Sequence, residues 1–231
     1  MSEPAGSRLI DLVALMDRLR SPGGCPWDAR QTHTSLVEYL IEESYEAVEA
    51  IELEDRVGLR EELGDLLLQV VFHARIAEED DDEPWGIDDV AQGIIDKLIR
   101  RHPHVFADAQ VGSDAELEAN WHALKAQEKG RMSVTDGIPT GLPALLLAGK
   151  VLNRTAAYAD EIGPSRHHQA ALDALDGLTD EAGLGEVLLA VVAIAREQGW
   201  DAEAAVRSAV RRRIEQVRMI EEAGRDAPAA R

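Results

Sequence analysis

Residues 37–73 read VEYLIEESYEAVEAIELEDRVGLREELGDLLLQVVFH, and the spacing of their apolar side chains decides the fold. Val37, Leu40, Ile41, Val48 and Ile51 recur at helical intervals, as do Leu59, Leu63, Leu66, Leu67 and Val70. That is the period of helices with an apolar face, and no stretch of the chain alternates as a half-buried strand would. The pattern predicts one helix over about residues 31–53 and a second reaching about residue 79, with Asp55 as its cap. Helices joined by so short a connection lie antiparallel.

Between Glu38 and Asp65 stand eleven acidic residues and only two basic ones, Arg56 and Arg60. Glu43 and Glu46 are three apart on the first helix and Glu62 and Asp65 three apart on the second, so each pair projects from a single face. Antiparallel packing lets the four carboxylates converge. The second pair leads into Leu66-Leu67-Leu68 and Val70-Val71-Phe72, a helix apolar on nearly every side, which should be largely buried. Carboxylates buried together need protons or cations, and an all-oxygen cluster suits a hard ion such as Mg²⁺, with Mn²⁺ as a substitute. A di-iron carboxylate bundle would need Glu-x-x-His, and none of the seven histidines has Glu three residues before it. EF-hand and Walker loops are absent too.

Outward from this stretch the helical period continues. Leu9, Val13, Met16 and Leu19 open the chain, and the turn-rich segment 21–28 (SPGGCPWD) breaks it. The acidic run Glu78 to Glu83 reads as a solvated loop. Further helices are expected over about 87–101, 114–129, 142–159, 181–198 and 201–222. The chain of 231 residues can bury a core without disulfides, and its lone Cys25 fits a reducing, cytoplasmic setting. A net charge of −20 argues against bulk nucleic acid as a partner. No apolar segment is long enough to span a bilayer and no signal peptide is visible, so neither a membrane nor export is expected.

Glu42-Glu43-x-x-Glu46 followed by Glu62-x-x-Asp65 resembles the EExxE…ExxD signature of the all-α nucleoside triphosphate pyrophosphohydrolases, the MazG family. Gly24-Cys25-Pro26-Trp27-Asp28 with Gln31-Thr32, and Arg100-Arg101-His102-Pro103-His104-Val105-Phe106, extend the resemblance over roughly residues 9–129. It implies an all-α helical bundle in which Glu43, Glu46, Glu62 and Asp65 hold Mg²⁺. It also implies hydrolysis of a nucleoside triphosphate substrate to monophosphate and pyrophosphate, as nucleotide-pool house-cleaning. Metal-assisted attack of water at the α-phosphorus fits such a cluster. Glu42 or Glu61 would orient or deprotonate that water, and sequence does not choose between them. The family places phosphate contacts at the positions of Lys97, Arg100 and Arg101, and a base-contacting tryptophan at that of Trp121.

Residues 64–75 (GDLLLQVVFHAR) are echoed by 185–196 (GEVLLAVVAIAR), as if the chain held two diverged copies. The second lacks the EExxE element and has Gly183 where the first has Glu62. The expected organisation is a MazG-like catalytic domain over 1–130, a linker over 131–141, and a degenerate helical domain over 142–231 without metal ligands. Short helical hairpins bury more apolar surface together than apart, which favours a homodimer. The alternatives are a specialised dUTPase-like or phosphoribosyl-ATP pyrophosphatase enzyme, or a helical module that binds a nucleotide or a partner without turnover.

Overall fold

The computed structural model describes residues 6–107, 133–156 and 175–226. Among these every regular element is helical. In chain order they are α1 (Ser7–Arg20), a single 3₁₀ turn (Asp28–Arg30), α2 (Val37–Glu52), α3 (Arg56–Ala77), α4 (Ile87–Arg101), the one-turn α5 (Pro103–Phe106), α6 (Ala144–Arg154), α7 (Glu181–Glu197) and α8 (Ala202–Asp226). Contacts divide the chain into two compact units, Met1–Trp121 and His122–Arg231. The sequence-expected helix at 114–129 lies outside the described residues, as does the end of the one at 142–159.

α2 starts later than its apolar period suggests, at Val37 and not near residue 31. The cause is local. Thr32 and Ser35 bond each other's backbone, with Thr32 N–H donating to Ser35 Oγ at 2.9 Å and Ser35 N–H to Thr32 Oγ1 at 3.1 Å. Side chains that satisfy the backbone in this way compete with helix and hold a turn. Leu36, 1% exposed, then anchors the start of α2 in the core.

The α2–α3 connection is three residues long. Glu54 adopts the left-handed conformation (φ 57°). Asp55 N–H donates to Ala50 O at 2.9 Å and Glu54 N–H to Ile51 O at 3.2 Å, the paired bonds of a Schellman close. Asp55 at once caps α3, its Oδ1 accepting from Val57 N–H and Gly58 N–H at 3.0 Å each. One helix ends and the next begins with little slack, so the pairing register of α2 on α3 is set here. This is the most extensive helix pairing in the unit.

α1 packs on the far half of α3. Met16, Leu36, Val71 and Phe72 form the core, with Leu12, Leu19, Leu67, Leu68 and Ile76 against it. Arg20 binds three segments together. Its guanidinium donates to both Glu79 oxygens (3.0 and 2.6 Å), to Asp28 O and Gln31 O (2.5 and 3.2 Å), and lies 5.5 Å from the Phe72 ring centroid. Arg75 bridges Asp17 at 2.8 Å and Glu79 at 2.9 Å. Glu78 and Glu79 are therefore structural, a correction to their reading as part of a solvated loop. Arg75 reaches both at the local helical spacings of three and four residues, whereas the Arg20 partner of Glu79 comes from α1.

Burial of α3 is also less complete than its apolar sequence implies. Leu63 and Val70 are 53% and 42% exposed, and α2 and α4 likewise leave Ile41, Ile94, Ile95 and Leu98 in the open. The second unit joins α6, α7 and α8. Asp180 caps α7 through Gly183 N–H at 2.8 Å, and Val187, Ala190, Val192, Ala193 and Ala195 form its buried face.

The connection yields a direct test. Glu54→Gly is expected to raise the unfolding free energy by about 0.5–1 kcal/mol by relieving a left-handed non-glycine residue. Asp55→Ala is expected to lower it by about 1 kcal/mol through loss of the cap. Urea unfolding reads both, and the same sign for the two variants would contradict the geometry described.

Candidate metal centre

The face of α2 that carries Glu43 and Glu46 turns toward the face of α3 that carries Glu62 and Asp65. One oxygen each from Glu43, Glu62 and Asp65 lie within 4.8 Å of one another, on partly buried side chains. Glu46, exposed at the rim, is close enough to both Glu43 and Glu62 for its charge to act on each. All four carboxylates named from the sequence are thus brought together.

Electrostatics records the cost of the crowding. The Glu43 carboxyl is raised above its usual range, first by burial and then by repulsion from Asp65, Glu46 and Glu62. Glu62 is raised for the same reasons, with burial followed by Glu46, Asp65 and Glu61. Uptake of a proton is one way to relieve such repulsion. A divalent cation relieves the same strain without the proton, and three or four carboxylate oxygens at this spacing suit a hard, oxygen-preferring ion. The donor set fits Mg²⁺ or Mn²⁺, and softer metals that favour nitrogen or sulfur find neither here. No second acidic cluster of this kind occurs among the described residues.

The other candidates are placed less centrally. Glu61 is exposed and acts on the centre only through its charge on Glu62. Glu42 is exposed one residue before Glu43. On α4, Lys97 and Arg100 are exposed while Arg101 is 8% exposed, so the three do not present equally to solvent. Trp121 lies outside the described residues. Trp27 packs edge-on against Tyr39 and Phe72, with centroids 5.9 and 6.5 Å away, and so shapes its loop. His102 Nδ1 meets Leu98 O at 2.7 Å and closes the end of α4.

Sequence reading passed over a polar stripe beyond Asp65. Gln69 and His73 follow at four-residue steps and so continue the acidic face of α3 into the interior. Gln69 Oε1 and His73 Nε2 are buried without a partner among the described residues. His73 Nδ1 lies 2.8 Å from His33 Nδ1, the two rings stack at 5.1 Å, and Trp85 stacks on His33 at 6.3 Å. Burial and then His33 hold His73 below the usual histidine range, consistent with one neutral ring accepting from the other. The i, i+4, i+8 spacing from Asp65 was the available signal.

Comparison with known proteins bears on this centre. Residues 31–106 match the model of the MazG nucleotide pyrophosphohydrolase domain, a span that includes all four carboxylates. The chain is similar to the nucleoside triphosphate pyrophosphohydrolase of Escherichia coli K12, 40% identical over 86% of this chain and 81% of that one. It is similar to the nucleoside triphosphate pyrophosphohydrolase/pyrophosphatase MazG of Thermotoga maritima, 40% identical over 94% and 87% of the two chains. A nucleoside triphosphate pyrophosphohydrolase of Mycobacterium tuberculosis is 52% identical over 64% of this chain, which spans 45% of that longer relative.

Charge relief gives this centre a thermodynamic signature. Raised carboxyls bind protons more readily in the folded than in the unfolded state, so apo stability falls as pH rises through their folded-state values. Glu62→Gln should therefore raise the melting temperature in EDTA at pH 7, and the gain should fade as pH drops below the usual carboxylate range. Mg²⁺ should raise the wild-type melting temperature and move that of Glu62→Gln less. An equal Mg²⁺ response in both proteins would rule out Glu62 as a ligand.

Proposed function

Because the chain belongs to the MazG nucleotide pyrophosphohydrolase family, we propose that it hydrolyses nucleoside triphosphates to nucleoside monophosphates and pyrophosphate. The observation that carries the reading is the convergence of Glu43, Glu62 and Asp65, with the charge of Glu46 acting on the cluster from its rim. These four would hold Mg²⁺. A divalent ion there would neutralise charge on the triphosphate and make water at the site a better nucleophile.

The chain's own residues supply the rest. Glu42 or Glu61, beside the cluster and exposed, would orient the attacking water or take its proton, so that attack falls on the α-phosphorus and pyrophosphate leaves. A protein of net charge −20 repels a triphosphate at long range, so local cations are needed besides the metal. Lys97, Arg100 and Arg101 are assigned that role, and Trp121 that of stacking on the base, which follows from family resemblance. The substrate spectrum is read as canonical or damaged nucleotides, and the setting as cytoplasmic. No helix among the described residues is long and apolar enough to cross a membrane.

A homodimer is proposed on the exposed apolar side chains of the first unit. Val37, Ile41 and Ile51 on α2, and Ile94, Ile95, Leu98 and Ile99 on α4, are each 44–58% exposed. Such a set exceeds what a monomer ordinarily leaves in water. The second unit, with Gly183 in the place of a ligand and only Glu186 aligned to Asp65, is read as a degenerate copy that keeps the helices and has lost the metal site.

The test is product analysis over a panel of ribo- and deoxyribonucleoside triphosphates, with Mg²⁺ and with EDTA. Monophosphate plus pyrophosphate, abolished by chelation and reduced on the order of a hundredfold or more in Glu62→Gln, is the expected result. Diphosphate plus phosphate would overturn the reaction assigned. Sedimentation of the wild type at micromolar concentration should show a dimer, and a fully active monomer would remove the oligomeric proposal.

A further inference from the structure

The second unit holds a cavity of about 400 Å³ between α6, the end of α7 and the start of α8. That is within the range of small-ligand sites. Lys150 and Asn153 reach it from α6, Arg196 from α7, and Trp200 and Asp201 from the turn before α8.

Its chemistry follows from a comparison of the two copies. Arg75 in the first copy is neutralised by Asp17 and by Glu78 and Glu79, three and four residues on. Arg196 is the matching arginine of the second copy, and the residues three and four beyond it are Gly199 and Trp200. The two acids are gone, and an indole stands in their place. Neither Arg196 nor Lys150 has an ion-pair partner among the described residues. Asp201 also lines the cavity, but its Oδ1 accepts from Ala204 N–H at 3.0 Å, where the positive end of α8 offsets its charge.

The backbone at Trp200 is held by a helix-end motif. Gly199 at φ 72° donates from its N–H to Arg196 O at 3.1 Å, and Trp200 N–H donates to Ala195 O at 2.8 Å, a second Schellman close. The indole is 66% exposed, with no ring stacked on it among the described residues. Two unneutralised cations, a side-chain amide and an exposed aromatic face around one cavity make a set for a phosphate joined to a planar heterocycle. In a chain of net charge −20, such cations stand out.

We propose that this cavity binds a nucleoside monophosphate, its phosphate on Lys150 and Arg196 and its base on Trp200. A phosphate monoester carries about −1.5 to −2 charges at neutral pH, which two cations match, whereas a metal-free triphosphate would bring a surplus. The proposed hydrolysis would release such a molecule, but the assignment rests on the cavity's own groups and holds whether or not the chain is a hydrolase.

The experiment is calorimetric titration of full-length Glu62→Gln in EDTA with AMP, adenosine and inorganic phosphate. AMP is expected to saturate one site per chain, with adenosine and phosphate each at least tenfold weaker. Adding Lys150→Glu or Trp200→Ala should weaken AMP binding tenfold or more with the far-ultraviolet circular dichroism unchanged. In an otherwise wild-type chain, Lys150→Glu should leave Mg²⁺-dependent turnover intact. Absence of AMP binding, or equal AMP affinity with and without Trp200→Ala, would overturn the proposal. Both substitutions lie on exposed positions, and should Lys150→Glu fail to fold, Trp200→Ala alone decides.

Discussion

Like charge forced together across the α2–α3 interface is the constraint on which the first unit turns. Glu43, Glu62 and Asp65 converge to within 4.8 Å and Glu46 repels two of them. Left to themselves, helices so loaded would slide or splay. The connection opposes this, because its Schellman close and the Asp55 cap use the backbone groups of residues 50–58 in both directions. The strain is held as raised carboxyl affinities for protons, and a divalent cation bound there would discharge it. Structure that resists its own repulsion is preorganised for a ligand of opposite charge.

The remainder of the unit fixes α3 from its other end. Arg20, buried with almost every guanidinium N–H engaged, joins α1, the 3₁₀ turn and Glu79, and Arg75 doubles the link. The Arg20 side chain is buried while Glu79 is open to solvent, so loss of the carboxylate would leave a buried cation. The arginines hold α3 at its C-terminal end while the carboxylates strain its N-terminal half. In the second unit both terms have changed. Gly183 has replaced a carboxylate, and Gly199 and Trp200 stand where the acids that neutralise Arg75 would align. On the proposal that the second unit is a degenerate copy, the repulsion and the arginine clamp are lost together, leaving a cationic hollow.

Legibility in the sequence follows the range of the interaction. Glu43 with Glu46 and Glu62 with Asp65 are i, i+3 pairs, so each was readable from spacing, and the cap at Asp55 was readable from its residue type. The start of α2 was misplaced because the hydrogen bonds of Thr32 and Ser35 outweigh an apolar period that runs through them. Nothing in a glutamate signals the left-handed turn at Glu54 that sets the register. The pairs of Arg75 with Glu78 and Glu79 were readable from helical spacing, whereas the tie of Glu79 to Arg20 spans 59 residues and was not. Burial of most of α3 was inferred from hydrophobicity, but periodicity shows what a face could cover and not what covers it. The assignments to Glu42, Glu61, Lys97, Arg100, Arg101 and Trp121 rest on resemblance, which spacing alone does not replace.

The central claim is that this carboxylate centre directs water to the α-phosphorus. The most direct measurement is hydrolysis of a nucleoside triphosphate in ¹⁸O-labelled water with Mg²⁺, followed by mass spectrometry of both products. The account predicts one ¹⁸O in the nucleoside monophosphate and none in the pyrophosphate. Label in the pyrophosphate would place the attack on the β-phosphorus and contradict it.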